Sequence, residues 1–223
     1  MAMTVDRAAV GWKRPVTSAA ALRGIVGEPS VGAIQKELTA LDVHCRAFLA
    51  RSPFLLLATS GSSGTCDVSP KGDAPGFVLV LDDKTLVIPD RKGNRRVDSL
   101  LNILENPHVG LLFLVPGVSE TLRVNGSATI VQDDDVLERM AVEGNRPLLG
   151  LAVTVEQCFL HCAKSFLRAK LWDPTAFVPR SDLPTLGKML VDQRRPVNRS
   201  DEEHEQLVRE REAQTAAAYQ CLY

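Results

Sequence analysis

From Ile34 onward the apolar positions fall into short segments of sharply different period. Ile34, Leu38, Leu41, Cys45 and Phe48 recur at steps of four and three, which predicts one amphipathic helix ended by Ser52-Pro53. Phe54–Ser60 is then a compact apolar run closed by the turn signal Gly61-Ser62-Ser63-Gly64, and reads as a strand. Gly76–Asp83 and Thr85–Ile88 flank a turn at Asp82-Asp83-Lys84 and predict a hairpin. Val97, Leu100, Leu101 and Leu104 give a helical face that Asn106-Pro107 stops. Val109–Val115 reads as a fully buried strand, whereas Thr121–Val131 alternates and so keeps one wet face. Asp133–Glu143 opens with capping acids and turns Val136, Leu137 and Met140 inward; Leu151–Cys162 is strand again, and Lys164–Pro174 a short basic helix. Beyond Pro179 the chain is polar, and Ser200 with Glu203 forms a capping box that opens a charged helix.

Consecutive hairpins with short helices between them favour an antiparallel barrel or sandwich over a doubly wound sheet. The predicted organisation is an N-terminal arm over residues 1–33, a strand-rich domain over 34–175 and a helical extension over 176–223.

Composition changes this picture only by exclusion. The 223 residues carry a net charge of -1, so nothing global points to nucleic acid or an anionic membrane, and any basic patch is local. The longest apolar run, Val109–Val118, is too short to span a bilayer and is broken by Pro116 and Gly117. The first residues lack the apolar core of a signal peptide, and five Cys is an odd number, so a cytoplasmic protein with reduced thiols is expected.

One patch stands out against that neutral background. Arg91, Lys92, Arg95 and Arg96 crowd the turn and the first turn of the predicted helix that carries Val97, Leu100, Leu101 and Leu104. Gly93 offers a turn position tolerant of positive φ and Asn94 an N-cap, which puts Arg95 and Arg96 at the first helical positions. A helix N-terminus is already electropositive, so cations there are unfavourable unless an anion joins them. A phosphate monoester suits the place, taking backbone N–H bonds and two guanidinium forks together. A solvated basic loop, with Asp90 and Asp98 as counter-charges, is the other reading. Neither a G-x-x-x-x-G-K-[ST] loop nor a G-x-G-x-x-G turn is present.

These segments carry a resemblance. The stretch "SPKGD…GFVLVLDDKTLVIPDRKGNRRVDSLLNILENPHVGLLFLVPGVSETLRVNGSA" resembles the pyridoxamine 5'-phosphate oxidase-like family of FMN-binding split barrels, and within it a bacterial subgroup of FMN-dependent enzymes. The resemblance covers roughly Phe48 to Asp173, with Ile88–Gly126 the specific part. It implies a mainly β, α+β fold: a six-stranded antiparallel split barrel with flanking helices, built as a homodimer with FMN at the interface. It places Asn94, Arg95 and Arg96 on the FMN phosphate. The strand end Ile88, Pro89 and Asp90 would run beside the ribityl chain and phosphate. Ser69 and Lys71 would lie near the isoalloxazine, although Lys71 also reads as an exposed turn lysine.

Other positions stay open between two readings. Arg123 shares a strand face with Asn125, which looks either into the flavin interface or into solvent. Lys164, Arg168 and Trp172 either cover the flavin or pack the last helix of the domain. Cys158-Phe159-Leu160-His161-Cys162 looks like a metal set, but on a strand the two Cys face one side and His161 the other, so buried thiols are favoured and no metal is expected. Gly76–Leu81 lacks the basic residues of the oxidase's R-x-V-L-L-K strand, so pyridoxamine phosphate oxidation itself is not expected. The function implied is FMN-dependent redox chemistry on a small molecule, with catalytic residues unassigned. The alternatives are a non-enzymatic flavin or haem binder or sensor, and a deazaflavin site with Arg194–Arg199 as a basic groove.

Overall fold

A computed structural model describes residues 11–194, 200–220 and 223, so the predicted groove at Arg194–Arg199 falls, apart from Arg194, outside the described residues. The chain divides between Glu37 and Leu38 into two compact units. In the first, helices α1 (Ala19–Val26) and α2 (Val31–Gln35) are capped by the hydroxyls of Ser18 and Ser30, and Leu22, Ile25 and Ile34 are exposed.

The predicted helix through Ile34–Phe48 is therefore not continuous. Leu38 exchanges backbone hydrogen bonds with Cys158, N–H to O at 2.9 Å and 2.8 Å, and Asp42 then starts α3 (Val43–Leu49) by accepting from the Cys45 N–H at 2.8 Å. A local cap and a bridge to a strand outcompete the apolar period. Burial lifts the Cys45 thiol to about 12, and its Sγ, like that of Cys158, is in the core.

The second unit is one antiparallel sheet wrapped as a split barrel. Its strands are β1 (Phe54–Ser60), β2 (Cys66–Gly72), β3 (Leu79–Val80), β4 (Thr85–Pro89), β5 (His108–Leu114), β6 (Thr121–Val131) and β7 (Gly150–His161), in the order β2-β1-β5-β6-β7-β4-β3. Seven strands replace the six expected. The additional one, β2, is a polar edge strand whose alternation is between exposed and half-buried positions, which hides it from a hydrophobic pattern. The β3–β4 hairpin forms as predicted, but β3 keeps only two paired residues of the Gly76–Asp83 run.

Leu55, Leu57, Leu111, Phe113, Leu122, Val124 and Val153 fill the barrel with Leu41, Cys45 and Leu49 of the α3 region. Each such aliphatic or aromatic side chain contributes about 1.5–3 kcal/mol by leaving water. The unbroken apolar run in β4 has a simple cause: Leu86 and Ile88 enter the main core, while Val87 packs on the opposite side with Leu137 and Met140 near α5 (Asp134–Glu138).

The segment after β4 departs most from expectation. Helix α4 begins at Asp98 and runs to Glu105, so Arg95 and Arg96 lie in the loop before it. Asn94 is not its N-cap: the Asn94 side chain accepts from the Arg96 N–H at 3.0 Å, closing a local turn. The left-handed positions are Arg95 (φ 63°) and Val97 (φ 52°), not Gly93.

Helix α6 (Lys164–Ala169) follows β7, and α7 (Leu186–Asp192) packs on α8 (Asp201–Tyr219), which has the predicted capping box. No described helix is long and apolar enough to cross a membrane.

Candidate functional site

On β2, Asp67, Ser69 and Lys71 share one face because strand side chains alternate. Helix α4 covers part of that face. Its Asn102 donates to Asp67 at 2.7 Å and to Thr59 at 3.0 Å, and the Ser99 and Ser69 hydroxyls lie 2.8 Å apart. These bonds fix the N-terminal end of α4 beside the end of β4, where the Asp90 N–H donates to the Leu149 carbonyl at 3.0 Å.

Between these elements is a cavity of about 640 Å³, within the range of small-molecule sites. Its walls are the β2 residues Ser69 and Lys71, the loop Asp90–Val97, the first residues of α4, the loop Asn145–Leu149, and Tyr223. Ser69, Lys71, Asp90, Asn94, Arg95 and Arg96, singled out in the sequence, are thus brought together. Ile88 and Pro89 are buried in β4 and do not line the cavity. Arg123, Lys164 and Arg168 are elsewhere: the Arg123 guanidinium lies 5.3 Å from the centre of the Phe159 ring, and the other two are on α6. Trp172 packs on Phe166 and donates to the Val118 carbonyl at 2.9 Å, so it serves the end of the barrel.

Most cations in the wall are already matched. Lys71 Nζ is 2.8 Å from Asp90, Arg96 is 2.9 Å from Asp98, Arg91 Nε is 2.6 Å from Asp73, and Arg146 is 2.5 Å from Asp134. Arg95 has no ion pair among the described residues. Neither does α4 have a side-chain cap: Val97 stands at its N-cap with nothing to accept from the first-turn N–H groups. Two strained left-handed residues thus hold an uncompensated guanidinium and free N–H donors at one end of a cavity.

The Asp73 side chain is 1% exposed. Burial pushes its carboxyl up, but hydrogen bonds from Tyr223, the Ala74 N–H and Arg91, with the Arg91 charge, more than offset this and hold it below the usual range. A depressed folded value stabilises the protein above the unfolded value, and that contribution disappears as pH falls through the folded one. Acid titration of unfolding free energy should therefore show a loss below about pH 4 that is smaller in Asp73→Asn than in wild type. Equal acid slopes in the two proteins would refute this.

Asp73, Arg91 and Tyr223 were not among the site residues read from sequence. Arg91 stood in the basic cluster, but Tyr223 is 150 positions from Asp73 and gave no signal. Among the described residues no group of His, Cys, Asp or Glu could hold a metal; Cys158 is buried and Cys162 exposed beyond the end of β7.

An antiparallel split barrel with a basic cavity beside the helix that follows β4 defines the fold class of the chain. Residues 41–162, more than half of the chain, match the family model described as pyridoxamine 5'-phosphate oxidase, and the chain belongs to that family. Among solved structures, HupZ of Group A Streptococcus is 19% identical over 54% of this chain and 93% of its own, with a TM-score of 0.44. A protein related to general stress protein 26 from Clostridium acetobutylicum is 16% identical over 53% and 86%, with a TM-score of 0.42. An FMN-binding protein from Syntrophomonas wolfei is 14% identical over 52% and 88%, with a TM-score of 0.41. No curated protein matches the chain. The family assignment rests on the match over residues 41–162.

Proposed function

We propose that the chain is an FMN-dependent oxidoreductase acting on a small molecule, with the flavin phosphate at Asn94–Arg96 and the mouth of α4. The observation that carries this is Arg95, without an ion pair among the described residues, beside the N-terminal turn of α4 that has no side-chain cap, at the wall of a cavity large enough for a nucleotide. A phosphate monoester matches that donor set: it accepts from N–H groups and adds the negative charge that Arg95 lacks. Asp98 opposes an anion there, and Arg96 at 2.9 Å neutralises it. When bound, FMN supplies the electron transfer. Lys71 contributes a positive charge that favours the reduced ring, tempered by Asp90. Ser69 and Ser99 offer hydroxyls on the same wall. Arg123, Lys164 and Arg168 are left out, because none lines the cavity.

The same reading takes the protein as a cytoplasmic homodimer, with residues 1–33 as arm and 176–223 as helical extension of the 34–175 domain. Leu101 and Leu104 on α4 and Leu148 beside the cavity are exposed, and a second copy would cover them. Among the described residues that line the cavity none is His. The test is the visible spectrum of the purified protein and its titration with FMN. Flavin bands that co-purify or saturate at stoichiometric FMN are expected. A colourless protein that ignores FMN overturns the reading, and competition by a deazaflavin instead would name the other phosphate-bearing cofactor.

A further inference from the structure

Two arginines in the cavity wall differ in electrical character. Arg95 has no ion pair among the described residues and offers net charge. Arg91 is paired with the nearly buried Asp73 at 2.6 Å, and its own side chain is only 16% exposed. Its charge is largely compensated, so what it retains is a planar fork of N–H donors. Asp73 in turn has its acceptors filled: Oδ2 takes Arg91 Nε, and Oδ1 takes the Ala74 N–H at 2.7 Å and the Tyr223 hydroxyl at 2.6 Å. The Tyr223 ring is also close to Arg91, its centre 5.6 Å from the guanidinium carbon. One edge of the guanidinium is thereby tied to Asp73, and Tyr223 lies against it. No described residue is hydrogen-bonded to either terminal nitrogen of Arg91, and both Arg91 and Tyr223 line the cavity.

A dianionic phosphate is best met by uncompensated charge. A neutral heteroaromatic ring with carbonyl oxygens along one edge is best met by a charge-compensated, pre-oriented donor fork. We propose that Arg91 reads the acceptor edge of the flavin ring, separately from the phosphate contact at Asn94–Arg96, and that Tyr223 is its positioning residue, acting through Asp73. The inference rests on the flavin reading of the cavity and assigns it a second, chemically distinct contact.

FMN and riboflavin separate the two contacts, because riboflavin keeps the ring and lacks the phosphate. Dissociation constants for both are measured by flavin fluorescence on wild type, Tyr223→Phe, Tyr223→Ala and Arg91→Lys. Tyr223→Ala is expected to weaken both flavins by the same factor, about 10-fold, leaving their ratio at the wild-type value. Tyr223→Phe keeps the ring and loses the bond to Asp73; it is expected to weaken both by about 3-fold and to shift the bound-flavin absorption. Arg91→Lys should act in the same direction, and the conservative Phe variant keeps the test valid should that substitution impair folding. A ratio that collapses in the Tyr223 variants would place Arg91 on the phosphate and overturn the inference. Unchanged or tighter binding of both flavins would make Tyr223 idle or obstructive and overturn it equally. Wild-type protein that binds neither flavin overturns the flavin reading and the inference with it; wild-type binding with unaffected variants overturns the inference alone.

Discussion

The Arg95→Ala/Arg96→Ala double variant is expected to bind FMN about 100-fold more weakly than wild type and riboflavin equally well. A hydrogen bond to a charged group contributes about 1.5–3 kcal/mol. Both side chains are exposed, so the lower end applies, and two such bonds give about 3 kcal/mol, or two decades of affinity. The substitutions leave the loop backbone comparable. Alanine at position 95 keeps a Cβ at φ 63° as arginine does, so the strain there is unchanged and the loss reports the guanidinium. Removing Arg96 has a second effect, because Asp98 then stands at the mouth of α4 without its 2.9 Å partner and repels the phosphate. Raising salt should erode wild-type FMN affinity more than that of the variant, since screening acts on charges the variant no longer has. Parallel loss of FMN and riboflavin would overturn the placement of the phosphate at Arg95 and Arg96.

The parts of this site legible in the sequence are those whose signal is local. The apolar face of α4, the buried strand at Val109–Val115 and the hairpin into β4 follow from periodicity within a few residues. The family resemblance over Phe48–Asp173 then brings Ser69, Lys71, Asp90 and Asn94–Arg96 toward one place. Local rules also misled. Asn94 is a good N-cap by type, yet its side chain turns to the Arg96 N–H, and the helix starts at Asp98 behind a left-handed Val97. No propensity would put a β-branched residue there, and α4 is tied to β1 and β2 just beyond it, through Asn102 and Ser99. The period through Ile34, Leu38, Leu41, Cys45 and Phe48 fitted a helix, but Leu38 is taken by a bridge to Cys158 on β7. What pattern cannot reach is contact across the chain. Tyr223 meets Asp73 across 150 positions, and the loop Asn145–Leu149 meets Asp90 because the sheet order sets β4 beside β7; neither Tyr223 nor that loop carries a mark of it.

Gly126→Ala is expected to destabilise the fold by about 3 kcal/mol and to lower the midpoint of thermal unfolding by about 6–12 °C. The pairing of β6 with β7 is the longest in the sheet, from Thr121↔His161 to Val131↔Gly150, and its register shifts between Asn125 and Gly126. At that shift β7 comes close: a Cβ on Gly126 would sit 2.0 Å from the Thr154 carbonyl oxygen and 3.0 Å from its carbon. The obstacle is backbone, held on its other side by the Thr85↔Thr154 pairing with β4, so it cannot swing away as a side chain would. The bulge must open, and the flanking Val124, Ala128, Val153 and Val155, all buried, lose contacts with it. Gly110→Ala is the control. Gly110 is the β5 partner of Asn125, but its added Cβ would meet only the Asn125 side-chain oxygen at 3.5 Å and the Ala58 Cβ at 3.8 Å, ordinary contacts that should change stability little. Gly126 does not line the cavity, so the folded fraction of Gly126→Ala should bind FMN as wild type does. Equal unfolding midpoints for Gly126→Ala and Gly110→Ala would mean that the β6–β7 bulge adjusts freely, and that the close approach at Thr154 does not set the stability of the barrel.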